Sequence, residues 1–100
     1  MKTTISENQD NIMVNLSGDL DTAAARDTEK EFQPLMEAKG KNITLDCKDL
    51  NYISSSGLRL FLALLKSCKP NGNTISIENL NDNIKKVFSM TGFSSLFNIK

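Results

Sequence analysis

The sequence predicts an α/β layer fold in the order β-β-α-β-α-β-α-β, on three observations. Period-two apolar alternation recurs in short runs, as at Ile12-Val14-Leu16 and Ile43-Leu45-Cys47. Segments of helical period follow these runs and carry their own start and stop signals. The two kinds of segment alternate after an opening pair of strands. That order implies parallel crossovers in a mixed central sheet of about five strands, with helices after the second, third and fourth strands.

Thr3 to Glu7 reads as a first strand, joined through polar Asn8-Gln9-Asp10-Asn11 to a second at Ile12 to Ser17, a hairpin. Gly18-Asp19-Leu20-Asp21-Thr22 is expected to break that strand and to offer Asp21 or Thr22 as a helix N-cap. From Ala23 to Lys39, one helical stripe holds Ala25, Thr28, Phe32, Leu35 and Met36, with Arg26, Asp27, Glu29, Lys30 and Glu31 opposite. Pro34 cannot donate to the carbonyl of Lys30, so a kink or break is expected there, with Gly40 closing the helix.

Ile43, Leu45 and Cys47 alternate in a third strand leading to a serine turn, Ser54-Ser55-Ser56-Gly57. Leu58, Phe61, Leu62 and Leu65 share one face of the next helix, with Leu60 and Leu64 on its flank. This apolar face is wide enough to leave a patch for a protein partner. Pro70-Asn71-Gly72-Asn73 reads as a turn and Thr74 to Glu78 as a strand. Asn81 or Asp82 caps a further helix with Ile84, Val87, Phe88 and Thr91 inward; Gly92 ends it, and Ser95 to Ile99 supplies the last strand.

One hundred residues without an internal repeat or linker make one domain, 1–100. Twelve acidic and twelve basic residues cancel, so direct nucleic-acid binding and attraction to an anionic membrane are not expected. The longest apolar run, Leu60 to Leu65, falls far short of the ~20 residues of a membrane span. Met1 to Glu7 lacks the apolar core of a signal peptide, and a cytoplasmic location is expected. Cys47 and Cys68 are isolated thiols, read as small buried or half-buried residues kept reduced. The chain has no histidine, which leaves zinc short of ligands and removes the commonest general base. No metal, no cofactor and no catalytic residue is expected, and the chain is not expected to be an enzyme. Asp19, Asp21 and the serine turn are the only candidates an enzymatic reading would have.

The functional signal concentrates between Asp46 and Leu60. Three serines and a glycine opening an apolar helix put hydroxyls where unpaired N–H groups and the helix dipole favour negative charge. A phosphate added there would be tolerated by the fold and visible to a partner. The structural alternative for Ser56 is an N-cap contributing about 1 kcal/mol. Asp19 and Asp21 read either as cap and dipole-complementing charges or as part of the surface around Ser56. Arg59 reads as a solvated helix charge or as a partner for an acidic group.

Three pieces, Leu16-Ser17-Gly18-Asp19-Leu20-Asp21, Leu45-Asp46 through Arg59, and Val87-Phe88-Ser89-Met90-Thr91-Gly92-Phe93, stand in the order and spacing of one family. In them the chain resembles the STAS family, named for sulfate transporters and anti-sigma factor antagonists. The resemblance implies a single STAS domain acting as an anti-sigma factor antagonist. It implies an anti-sigma factor serine kinase and a serine phosphatase as partners, with Ser56 the phosphorylated residue and Ser55 its neighbour. It also implies a partner-binding surface of Asp19, Asp21, Ser54, Ser55, Ser56, Gly57, Leu58 and Arg59. Ser54 stands where many regulatory members carry aspartate. The alternative within the same family is a constitutive regulatory subunit of a membrane lipid-transport complex.

Overall fold

The computed structural model describes residues 1–99. Strands β1 (Lys2–Asn8) and β2 (Asn11–Leu20) lead to helices α1 (Thr22–Glu31) and α2 (Gln33–Glu37). Then come β3 (Asn42–Ile53), α3 (Ser55–Asn71), β4 (Thr74–Glu78), α4 (Asp82–Thr91), a 3₁₀ turn at Phe93–Ser95, and β5 (Asn98–Ile99). The sheet is mixed: β1 pairs antiparallel with β2, and the β2–β3, β3–β4 and β4–β5 pairs are all parallel. Its strands lie in chain order, β1-β2-β3-β4-β5, with four full strands and a fifth of only two residues.

One face of this sheet is the core. Ile12, Val14, Leu16 and Leu20 of β2, Ile43, Leu45 and Cys47 of β3, and Ile75 and Ile77 of β4 are buried together under the helices. The alternate residues of β2, Asn11, Met13, Asn15, Ser17 and Asp19, are exposed. The helices contribute Ala25, Phe32, Leu35, Leu58, Phe61, Leu64, Ile84 and Phe88 to the same core.

Several boundaries differ from the expectation. Gly18 does not break the second strand: it takes φ +104°, a conformation open to glycine, and the strand runs on to Leu20 across irregularities in its register with β3. The same irregularities carry β3 to Ile53, well beyond the alternating Ile43-Leu45-Cys47 core. The helix expected over Ala23 to Lys39 is two helices, broken at Phe32, with Pro34 in the first turn of the second, where its missing N–H costs nothing. Gly40 does not cap it. The helix ends at Glu37, and the carbonyls of Met36 and Ala38 accept instead from the side-chain amides of Asn71 and Asn73, each at 2.8 Å.

Helix α3 passes through Pro70 to Asn71, where a turn was expected, and Gly72 in the left-handed conformation (φ +70°) ends it. Its buried line is Leu58, Leu60, Phe61, Leu64 and Cys68, with Leu62 and Leu65 half-buried, so the inward face is rotated from the one expected. Thr91 of α4 is exposed rather than inward and returns its hydroxyl to the carbonyls of Val87 and Phe88. Of the last expected strand, Ser95 to Ile99, only Asn98–Ile99 lies in the sheet; Ser95 ends the 3₁₀ turn, and Leu96 and Phe97 lie between the two.

Candidate functional site

Because β2, β3 and β4 are parallel, their C-terminal ends lie on one edge of the sheet, and each feeds a helix that starts there. Asp21 caps α1, its Oδ1 accepting from Ala24 N at 2.8 Å. Ser54 caps α3, its Oγ accepting from Gly57 N at 3.2 Å. Asn81 caps α4 by accepting from Ile84 N at 2.9 Å, and its amide also reaches the Leu50 carbonyl. Three helix N-termini, each with its dipole's positive end outward, therefore share this edge.

The start of α3 is fixed tightly to the sheet. Ser54 is buried and donates its N–H to the Leu20 carbonyl at 2.9 Å, tying the ends of β2 and β3 together. Gly57 lies against the same strands: a Cβ there would meet Ile53 Cγ1 at 2.8 Å and Leu20 Cγ at 2.9 Å. Glycine at this position is a matter of close approach, since its φ is an ordinary one. Leu58 is buried in the core.

The expected site residues thus separate into two groups. Ser54, Gly57 and Leu58 are buried and set the position of the helix. Asp19, Asp21, Ser55 and Arg59 are exposed and Ser56 is half-buried, so these present chemistry to solvent. Ser56 does not cap. It is the second residue of α3, and its Oγ accepts from Arg59 Nη2 at 3.3 Å. Asp19 lies within β2, paired in register with Tyr52 of β3, not in a loop after the strand.

Three residues escaped the sequence reading. Tyr52 is 52% exposed at the end of β3, a large aromatic ring on the site's edge. Its placement follows from the extension of β3, which the alternation pattern does not carry that far. Arg26 and Glu29 of α1 line a groove of ≈ 360 Å³ with Ser56 and Arg59 of α3. The charged stripe of α1 signalled their exposure, and only the packing of α1 beside α3 brings them to the serine. Elsewhere, burial and then the neighbouring Asp46 push the Cys47 thiol up to about 12. Burial raises Cys68 as well. Both thiols are inert at neutral pH. Among the described residues no cluster of three or more metal-ligating side chains occurs, and no helix is long and apolar enough to cross a membrane.

An anti-sigma-B factor antagonist of Bacillus subtilis (strain 168) is 30% identical over 95 residues, covering 95% of this chain and 86% of that protein. A STAS domain protein from Planctomyces limnophilus superposes with a TM-score of 0.86 at 12% identity, over 98% of this chain and 87% of the other. The Bacillus cell fate determinant SpoIIAA in its phosphorylated form superposes with a TM-score of 0.76 at 17% identity, over 99% and 91% of the two chains. The STAS domain pattern itself spans residues 2–100, and with the relative of Bacillus subtilis it shows that this chain belongs to the STAS domain family.

Proposed function

We propose that this chain is an anti-sigma factor antagonist whose binding to an anti-sigma factor, itself a serine kinase, is switched off by phosphorylation of Ser56 and restored by a serine phosphatase. The observation that carries the reading is the division of labour at the start of α3. Ser54 does the capping, which leaves the Ser56 hydroxyl at the surface of the helix N-terminus without a structural task in the backbone. The likeness to the anti-sigma-B factor antagonist of Bacillus subtilis supports the antagonist part of the reading.

In the transfer, the bond from Ser56 Oγ to the γ-phosphorus of ATP forms as the bond to the bridging oxygen breaks. ADP leaves with that electron pair, and the hydroxyl proton passes to a base of the kinase. The product adds roughly −1.5 to −2 charge at neutral pH, and the N-terminal dipole of α3 stabilises it within this chain. A partner surface that meets Asp19, Asp21, Ser55 and Arg59 then faces new charge at the centre of its contact. Repulsion and desolvation lower its affinity without any change of fold.

The test is calorimetric binding of the anti-sigma kinase from the same genome, with ATP, to wild type, Ser56→Ala and Ser56→Asp. Alanine is expected to bind whether or not ATP is present, and aspartate to bind at least about tenfold more weakly, a loss of ~1.4 kcal/mol. Equal binding by the two variants overturns the proposal. Tight binding to a membrane transport complex with Ser56 always unmodified would favour the constitutive subunit instead.

A further inference from the structure

We propose that Arg59, with Arg26 across the groove, forms a clamp for the phosphoryl group on Ser56, so that modification withdraws Arg59 from the docking surface as well as adding charge to it. The inference rests on the phosphorylation of Ser56 proposed above and concerns how that modification is read.

Three observations point to it. Arg59 already directs Nη2 at Ser56 Oγ, at 3.3 Å, from one turn further along the same helix. Arg26 lines the same groove from α1, so two arginines from different elements border the space beside the serine. Among the described residues the ion pair present is Lys41 with Glu7, far from either arginine in sequence and in fold. The charged groups that line the groove with Ser56 are Arg59 from α3 and Arg26 and Glu29 from α1, and the exposed carboxylates of Asp19 and Asp21 stand at the same end of the sheet. Two cations against one carboxylate leave the groove with a net charge of +1, which offsets about half of a phosphoryl dianion's charge. A guanidinium offers paired N–H donors that match phosphate oxygens, and such bonds are the strong, charge-assisted kind. The groove, ≈ 360 Å³ and open along the helix, has room for the group.

The clamp changes what a partner meets. In the unmodified chain Arg59 is exposed and, among the described residues, bonded to a neutral hydroxyl, so an acidic group on the partner can take it. A phosphate one helical turn away competes for the same guanidinium and is covalently held beside it.

The experiment uses the full chain with phosphoserine genetically encoded at position 56, followed by ³¹P NMR across pH 4 to 8. In the unsubstituted background the phosphate's second ionisation is expected at least about 0.5 pH below the ~6 of an unconstrained phosphoserine. Arg59→Gln should return most of that difference, Arg59→Lys should return less, and Arg26→Gln should add to Arg59→Gln. The helix dipole acts equally in all of these chains, so the comparison isolates the arginines. The same midpoint in the parent and in Arg59→Gln, with both shown folded by circular dichroism, overturns the clamp. Because the phosphoserine is encoded, that outcome is independent of any kinase. A lowered midpoint beside a Ser56 that no kinase modifies would uphold the clamp while removing the switch.

Discussion

Two hydroxyls two residues apart at the start of α3 have opposite duties. Ser54 is buried, accepts from Gly57 N and donates its own N–H to Leu20, so it belongs to the backbone framework. Ser56 is half-buried, and its hydroxyl is bonded to the Arg59 side chain. Ser54→Ala is therefore expected to cost about 1 kcal/mol of stability through loss of the cap. Ser56→Ala should stay within about 0.5 kcal/mol of the parent, as surface changes do. Urea midpoints at constant m-value would measure both, and a Ser56→Ala loss as large as that of Ser54→Ala would return the cap to Ser56. From the sequence, the start of a helix among these serines was legible, and the choice of capping residue was not. Consecutive serines are equivalent candidates until the end of β3 is known, and register irregularities move that end to Ile53. Asp21 was easier, being one of two adjacent candidates ahead of a helical stripe, and it does cap.

At the scale of elements, the sequence pattern placed the strands and helical segments in their order, but α1 and α2 had read as one helix and the ends of several elements moved. Those ends were decided by contacts distant in sequence: Asn71 and Asn73 close α2, and the approach of Met1 to Gly18 accompanies the continuation of β2. The C-terminal segment shows the same thing. With two residues in the sheet, β5 is held less by its ladder than by Phe97, which is 6% exposed. Its ring lies 5.8 Å from that of Phe88 and 6.5 Å from that of Phe61, in edge-on arrangements. Phe97→Ala is expected to cost about 3 kcal/mol, chiefly by opening a cavity between α3 and α4. Amide exchange at Ile99 should also accelerate toward the unfolded rate. Unchanged protection there would mean that the two-residue ladder suffices by itself.

For the whole molecule, the single apolar face makes stability a property of one core, and Cys47 lies within it with no measurable exposure. Its thiol ionises at 9.0 when unperturbed and at about 12 in the folded chain, chiefly because burial disfavours the thiolate. A group raised in this way lends stability that is complete below 9.0 and is lost as pH climbs through the interval to about 12. At higher pH the unfolded chain releases a proton that the folded chain retains, so the balance tilts toward unfolding. Relative to Cys47→Ala, the parent should therefore lose roughly 1 kcal/mol of its advantage between about pH 7.5 and about pH 10, read from paired urea titrations. A constant difference would place the thiol in contact with solvent. That both cysteines are unpaired was legible in the sequence, which left open whether they are buried or half-buried; full burial, and the size of the shift, depend on the packing around them.

The separation of Ser54 from Ser56 also bears on how such a domain can change over generations. A chain in which the capping hydroxyl were also the modified one could not lose its regulation without weakening its framework, nor gain it without rebuilding a helix end. Here the capping hydroxyl is that of Ser54 and the one proposed for modification is that of Ser56, distinct positions on one turn. On the proposed switch, a single codon change at 56 converts a responsive chain into an unresponsive one, or the reverse, while the core is inherited untouched. Regulation becomes a trait that lineages can drop and reacquire.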